Sequence, residues 1–438
     1  MADAARSSEA QLIRAVGLFA LTAAIINVVI GGGIFRLPSS IAANMGAAAP
    51  MAFIMGAFAI IPITLCFAAA GSRVSSTGGP YTYVAASFGN FAGFVTGALM
   101  WIGNVVSGPG VAAALNQQVA HVLPSVAEGW QRAAFFVVLY AIIVAMNAFG
   151  VKLGARAIVA LATIKLTPLV VLASVGLFFV DWSQVSLTAI PSWPALGASM
   201  IMVIFAYSGI ETALMPSGEV RDPSRDVPRA ALAALLIVVL IYVGIQTVAQ
   251  GVLGDALPGH TAPLAAAAGR IWPPAFALLL ITASVSMFGF LMGNVLGSSR
   301  AVYALGRDGY LPSAMARITQ RYRVPLNAVL LHAGLGCILA FVGTFDFLIM
   351  MSGGANCLVY IAVAIAAWKL QRDDTREHGA PFGLPGGAVA IPLLSVLAMT
   401  AILTTLSRNE WIAIAAALFA LVLIYAGLRA MRRPVAAP

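Results

Sequence analysis

The sequence predicts an all-α polytopic membrane protein of about twelve transmembrane helices, built as a five-plus-five inverted repeat in which helices 1 and 6 are discontinuous. Three observations predict it. Of 438 residues, 61% are hydrophobic and 9% charged; soluble proteins carry about 25% charged residues, so most of this chain faces lipid. Apolar segments of bilayer length recur from one end of the chain to the other. Two of them are interrupted at mid-span by small residues, and unpaired backbone at that depth persists only where it lines a cavity.

The spans follow in order. Span 1 (15–44) runs from Asn27-Val28-Val29-Ile30 into Gly31-Gly32-Gly33-Ile34-Phe35, three successive glycines where a helix should continue. Spans 2 to 5 are read at 48–70, 91–115, 132–150 and 157–180. Span 6 (195–216) is interrupted by Phe205-Ala206-Tyr207-Ser208-Gly209-Ile210-Glu211. Spans 7 to 12 are read at 229–253, 274–304, 325–343, 346–369, 387–406 and 411–430. A cytoplasmic tail (1–14), a single membrane domain (15–430) and a second tail (431–438) account for the chain. Spans 1 and 6 start on opposite sides of the membrane and carry matching breaks, so segments 15–180 and 195–369 read as inverted repeats, with 387–430 as two extra helices.

The formal net charge of +9 is sorted by side rather than gathered in a groove for nucleic acid. With the N-terminus inside, 19 Lys and Arg residues fall in inner loops and tails, and three (Arg132, Arg270 and Arg408) in outer loops. This positive-inside bias predicts a multi-pass protein of the cell membrane with both termini cytoplasmic, its basic residues facing lipid headgroups. Cys66, Cys337 and Cys357 lie in apolar spans, and His121, His260, His332 and His378 are scattered, with no CxxC spacing, so no metal is expected. No P-loop and no catalytic constellation are found, so neither a cofactor nor an enzyme activity is expected. The first apolar span is too long for a signal h-region and reads as an uncleaved helix.

Four motifs, in order along nearly the whole chain, resemble the amino acid–polyamine–organocation superfamily. GGGIF at 31–35 with Leu37-Pro38 resembles its GSGIF-type motif in helix 1. Ser75-Ser76-Thr77-Gly78-Gly79-Pro80-Tyr81-Thr82-Tyr83 resembles the SxGGxYxY segment between helices 2 and 3. FAYSGIETALMPSGEVRDPSRDVPRA at 205–230 resembles the helix 6 signature and its loop. Ser299-Arg300 through Gly306-Arg307-Asp308-Gly309-Tyr310-Leu311-Pro312 resembles the end of helix 8. The resemblance implies a secondary transporter of amino acids working by alternating access, helices 1, 2, 6 and 7 rocking against the rest.

The residues at the breaks suit that chemistry. The outer half of helix 1 presents N–H groups from about Gly32 to Phe35 and a positive partial charge, which suit a carboxylate. Carbonyls near Phe205–Tyr207 suit an ammonium. The expected substrate-binding set is Ile30, Gly31, Gly32, Gly33, Ile34, Ala206, Ser208 and Gly209, with Phe205, Gly103, Asn104 and Asn294 for side-chain selectivity. The glycines could instead serve close helix packing. Glu211, the only carboxylate in the middle of a span, reads equally as a coupling group or as a cap on the break. Lys165, the only intramembrane lysine, resembles the helix 5 lysine that stands in for sodium in sodium-independent members of this fold; snorkelling is the bland reading. Trp101, Phe288 and Phe290 read as packing, and Arg36 as solvated at the outer mouth. A neutral amino acid with a proton, by symport or exchange and without sodium, is the leading expectation. An antiporter of cationic amino acids or polyamines is the alternative, and a channel or substrate-sensing receptor the remote one. The protein is expected as a monomer or homodimer.

Overall fold

The computed structural model describes residues 17–74, 79–149, 155–186, 188, 191–213, 220, 222–322, 324–376 and 381–431. Parts of two motifs, Ser75–Gly78 and 214–219 with Arg221, lie outside the described residues. Helix makes up most of each predicted span. Among the described residues, seven helices are long and apolar enough to cross a bilayer, and five further apolar helices of 10–17 residues accompany them.

Span 1 is two helices, α1 (Leu18–Val29) and α2 (Leu37–Met45), joined through Ile30–Gly32 and a 3-10 turn at Gly33–Phe35. Proline early in α2 costs no hydrogen bond there, because a helix's first N–H groups have no partner within it. Span 2 is α3 (Ala49–Arg73). A short helix, α4 (Pro80–Phe88), precedes span 3, which is α5 (Asn90–Ala120). Gly79 and Gly89, at φ +58° and +85°, bound α4 with backbone conformations that other residues rarely adopt. Spans 4 and 5 are α6 (Gly129–Ala148) and α7 (Ala155–Val175).

Span 6 is α8 (Trp193–Tyr207), a break at Ser208–Gly209, and the short α9 (Ile210–Ala213). Span 7 is α10 (Pro223–Leu253), which starts six residues before the predicted span because Pro223 sits at its first turn. A loop helix, α11 (Pro263–Ile271), separates it from span 8, α12 (Ala275–Arg307). Spans 9 to 12 are α13 (Leu326–Val342), α14 (Phe345–Arg372), α15 (Gly387–Leu403) and α16 (Arg408–Met431). The nine-residue α4 and α11 were not foreseen, being too short to cross a bilayer and lacking a long apolar run.

The packing groups the elements around the breaks. Phe53 of α3, Tyr207 of α8 and Tyr242 of α10 form one aromatic cluster: the two tyrosine rings stack at 5.6 Å, and Phe53 meets both edge-on. The Tyr207 hydroxyl donates to the Phe53 carbonyl at 3.0 Å. Gly56 leaves room for Val203 and Tyr207 against α3. Aromatic pairs of this kind add about 0.5–1.5 kcal/mol beyond area burial, so spans 2, 6 and 7 are welded near the break of span 6.

Residues of the arginine-rich loops meet on one face. Arg73 pairs with Asp374 at 3.7 Å and donates to the Thr375 carbonyl. Tyr81 of α4 donates to Asp308 at the end of α12 (3.4 Å), so two of the family-like motifs touch.

Candidate functional site at the two helix breaks

Where span 1 unwinds, its carbonyls lose helical partners and must find others. They are met by side chains from three other spans. The Lys165 ammonium of α7 donates to the carbonyls of Asn27 (2.6 Å) and Ile30 (2.8 Å). The Tyr242 hydroxyl of α10 donates to Val29 (3.0 Å), and the Ser286 hydroxyl of α12 to Gly31 (3.3 Å). Lys165 does not snorkel; its charge is directed to backbone at the break.

The three glycines are buried and closely faced. A Cβ on Gly31 would lie 2.7 Å from the Phe290 ring, one on Gly32 2.5 Å from Val111 Cγ1, and one on Gly33 2.6 Å from the Phe205 ring. Ile30 and Ile34 are also buried. Phe290, read from sequence as packing, thus covers the break itself.

The span 6 break is held largely by its own residues. The Phe205 carbonyl accepts from the Ser208 N–H (3.1 Å) and hydroxyl (2.6 Å). This corrects the expectation that the Phe205 carbonyl is free, because the turn folds its donors back onto it. Glu211 accepts from the Gly209 N–H (3.0 Å) through one oxygen and from the Tyr360 hydroxyl of α14 (3.1 Å) through the other. Gly209, at φ +117°, lies against span 1: a Cβ there would be 3.3 Å from the Val29 N and Cα. The two breaks therefore touch, with Ala206 buried beside them.

Of the selectivity candidates, Phe205 lies at the breaks, and the other three lie elsewhere on the scaffold. Gly103 faces Asn356 and Ala355 of α14. Asn294 of α12 donates to the Asn104 carbonyl (3.2 Å), and its side-chain oxygen is 2.9 Å from His332 Nε2. The Trp101 indole donates to His332 Nδ1 (3.2 Å), which leaves the hydrogen on Nε2 for Asn294. This polar chain ties spans 3, 8 and 9 together, and the Asn294 amide is engaged with the scaffold rather than turned to the breaks.

Arg36 is not solvated. It is 9% exposed and donates to the His260 carbonyl at 2.9 Å, in the loop ahead of α11. That loop covers it, an arrangement that nothing in the local sequence announces. Tyr242, Ser286, Tyr360 and the Trp101–His332 pair were likewise missed; hydroxyl and imidazole groups inside apolar spans were the available signal.

Comparison with known proteins finds similar sequences along nearly the whole chain. A family model described as amino acid permease matches residues 16–436. The serine/threonine exchanger SteT of Bacillus subtilis is 28% identical, over 87% of this chain and 87% of its own. The branched-chain amino acid permease BcaP of the same organism is 23% identical, over 94% and 91%. An uncharacterised transporter of Mycobacterium tuberculosis is 31% identical over 90% of each chain.

Proposed function

The chain belongs to the amino acid permease family, and from that premise we propose that it carries a neutral amino acid across the cell membrane without sodium, coupled to protons by symport or exchange. The observation that carries the ion dependence is the Lys165 ammonium at 2.6 and 2.8 Å from the carbonyls of Asn27 and Ile30. A helix break that exposes carbonyls attracts a cation, and here the protein supplies its own. The substrate's α-carboxylate takes the leading N–H groups of the turn at Gly32–Phe35, and its ammonium the carbonyl end of α8 near Ala206 and Tyr207.

Two features support a neutral side chain. The rings and methyls over the glycines come from Phe205, Phe290, Val111 and Met287. The one mid-span carboxylate, Glu211, has a donor on each oxygen, leaving little to attract a second positive charge. The relatives named for serine/threonine exchange and for branched-chain amino acids fit the same class. Alternating access then moves spans 1, 2, 6 and 7, joined through Phe53, Tyr207 and Tyr242, against the scaffold of spans 3, 8 and 9, as paired halves of an inverted repeat.

Counterflow in proteoliposomes with a panel of labelled amino acids tests the substrate class, and replacing sodium with choline tests the ion. Accumulation of neutral amino acids unchanged by choline is expected. A strict sodium requirement, or counterflow confined to cationic substrates, overturns the proposal.

A further inference from the structure

Two histidines 139 positions apart in the chain meet at the end of the molecule opposite the arginine-rich loops. The rings of His121, at the end of α5, and His260, in the loop ahead of α11, are stacked 10° from parallel with centroids 6.4 Å apart. Around them a three-residue segment, His260-Thr261-Ala262, is gripped from several sides. Arg36 of span 1 donates to the His260 carbonyl (2.9 Å), and Gln118 of α5 to the Thr261 carbonyl (3.2 Å). His121 Nε2 lies 2.9 Å from the Thr261 hydroxyl, and Phe276 of α12 meets His121 edge-on. The segment leads into α11, whose Leu264, Ala265, Ala267 and Ala268 are buried against the bundle. Helix α11 is thus a lid, and the segment is its latch.

The latch contains one bond that a proton must break. His260 Nδ1 accepts from the Ala262 N–H at 3.2 Å. A nitrogen that accepts carries no hydrogen, so His260 is neutral here; an imidazolium donates at both nitrogens and has nothing to offer Ala262. The charge would also appear beside the two groups that bear on His260, the His121 ring and the Arg36 guanidinium. Asp346 of α14, which accepts from the Ser40 hydroxyl, bears on Arg36 rather than on His260. Burial first, then His121 and Arg36, hold the His260 imidazole below its ordinary value.

We propose that the His121–His260 pair is a proton-binding site whose occupation releases the α11 lid. The proposal rests on the reading of this chain as an alternating-access transporter only for the meaning of the lid, not for the proton site itself. The direction follows from linkage. Closed, the imidazole titrates below the ~6.5 of a free histidine; released, it returns to that value. The latch is therefore at full strength above about pH 6.5 and weakens as pH falls from there towards the closed-state value. Acid on this side opens the mouth that leads to Arg36 and the span 1 break.

Hydrogen–deuterium exchange on the purified full-length protein, at pH 7.5 and 5.5 and corrected for intrinsic rates, reads the latch without requiring transport. Peptides covering 258–272 should lose protection in acid, several-fold, while peptides of α10 stay unchanged. His260→Asn keeps a side-chain acceptor placed to bond two residues on, as asparagine does in turns, and cannot titrate; its lid should stay protected at both pH values. His121→Gln should move the acid transition of the wild-type lid upward, by removing the neighbouring ring that helps to hold the His260 value down. Wild-type exchange indifferent to pH, or an acid response that survives in His260→Asn, overturns the proposal. A lid that answers to acid in a protein that shows no amino acid counterflow would retain the proton site and refute the transport reading.

Discussion

Spans 1 and 6 are broken at matching places yet held by opposite means. At the span 1 break, the carbonyls of Asn27, Val29, Ile30 and Gly31 are met by Lys165, Tyr242 and Ser286, from three different spans. At the span 6 break, Ser208 and Glu211 close most of the turn from within, and Tyr360 reaches in from outside. A break capped by its own residues keeps its shape when neighbours move. A break held by neighbours changes its bonding whenever they do. The first suits a rigid part of a moving body, the second a joint between bodies.

From that contrast, span 1 should be the more sensitive of the two. Gly32→Leu is the severest change, since even a Cβ would stand 2.5 Å from Val111 and close to Met287. Amino acid binding, followed by scintillation proximity on monodisperse protein, should be lost; near-normal affinity would remove the site from span 1. Lys165→Ala comes next. It leaves two buried carbonyls without a donor, at about 1–3 kcal/mol each, so turnover in proteoliposomes should fall at least about tenfold. Unchanged rates would return Lys165 to simple packing.

At the second break Glu211→Gln keeps the size of the side chain but cannot ionise. Binding at a single pH should stay within a few fold while the pH dependence of uptake flattens; a wild-type profile would make the carboxylate a cap and nothing more. The smallest effects form a matched pair. Tyr242→Phe removes the donor that another span brings to the Val29 carbonyl, leaving the Gly31 N–H at 2.7 Å, and through that lost link between spans should cost about 1 kcal/mol, roughly fivefold in transport. Ser208→Ala removes a hydroxyl from a carbonyl that still has the Ser208 N–H, so its effect should stay within about 0.5 kcal/mol. Should the serine variant prove the more damaging, the distinction between self-held and neighbour-held breaks fails.

The contrast also marks what a sequence can show. Both breaks were legible because glycine and serine interrupt apolar runs at a depth where freed backbone must line a cavity. Lys165 stood out for a related reason, as a charge with no water nearby. The resemblance to a helix 5 lysine that stands in for sodium implied a place among unwound carbonyls, and its ammonium donates to those of Asn27 and Ile30. Tyr242, Ser286 and Tyr360 left only the signal of a hydroxyl inside an apolar span, which looks like filler until helix rotation is known. Arg36 was misread because its cover arrives from more than 200 residues away. Asn104 and Asn294 had the right residue type for selectivity, but Trp101 and His332 complete their polar chain through the register of separate spans, which no single segment encodes.

The contact between Tyr81 and Asp308 carries a different consequence. Burial, with help from the Asp308 carboxylate, pushes the Tyr81 hydroxyl up to about 12, so it remains a donor at any pH a cell tolerates. The Tyr81 donor at the arginine-rich end thus keeps its proton, while the opposite end is latched by an imidazole that gains one in acid. The lid thus acts as a rectifier of chemical information: it reads proton concentration on its own side of the membrane. With the protein reconstituted in both orientations, the lid would lose protection in acid solely in the population whose lid faces the acidified compartment.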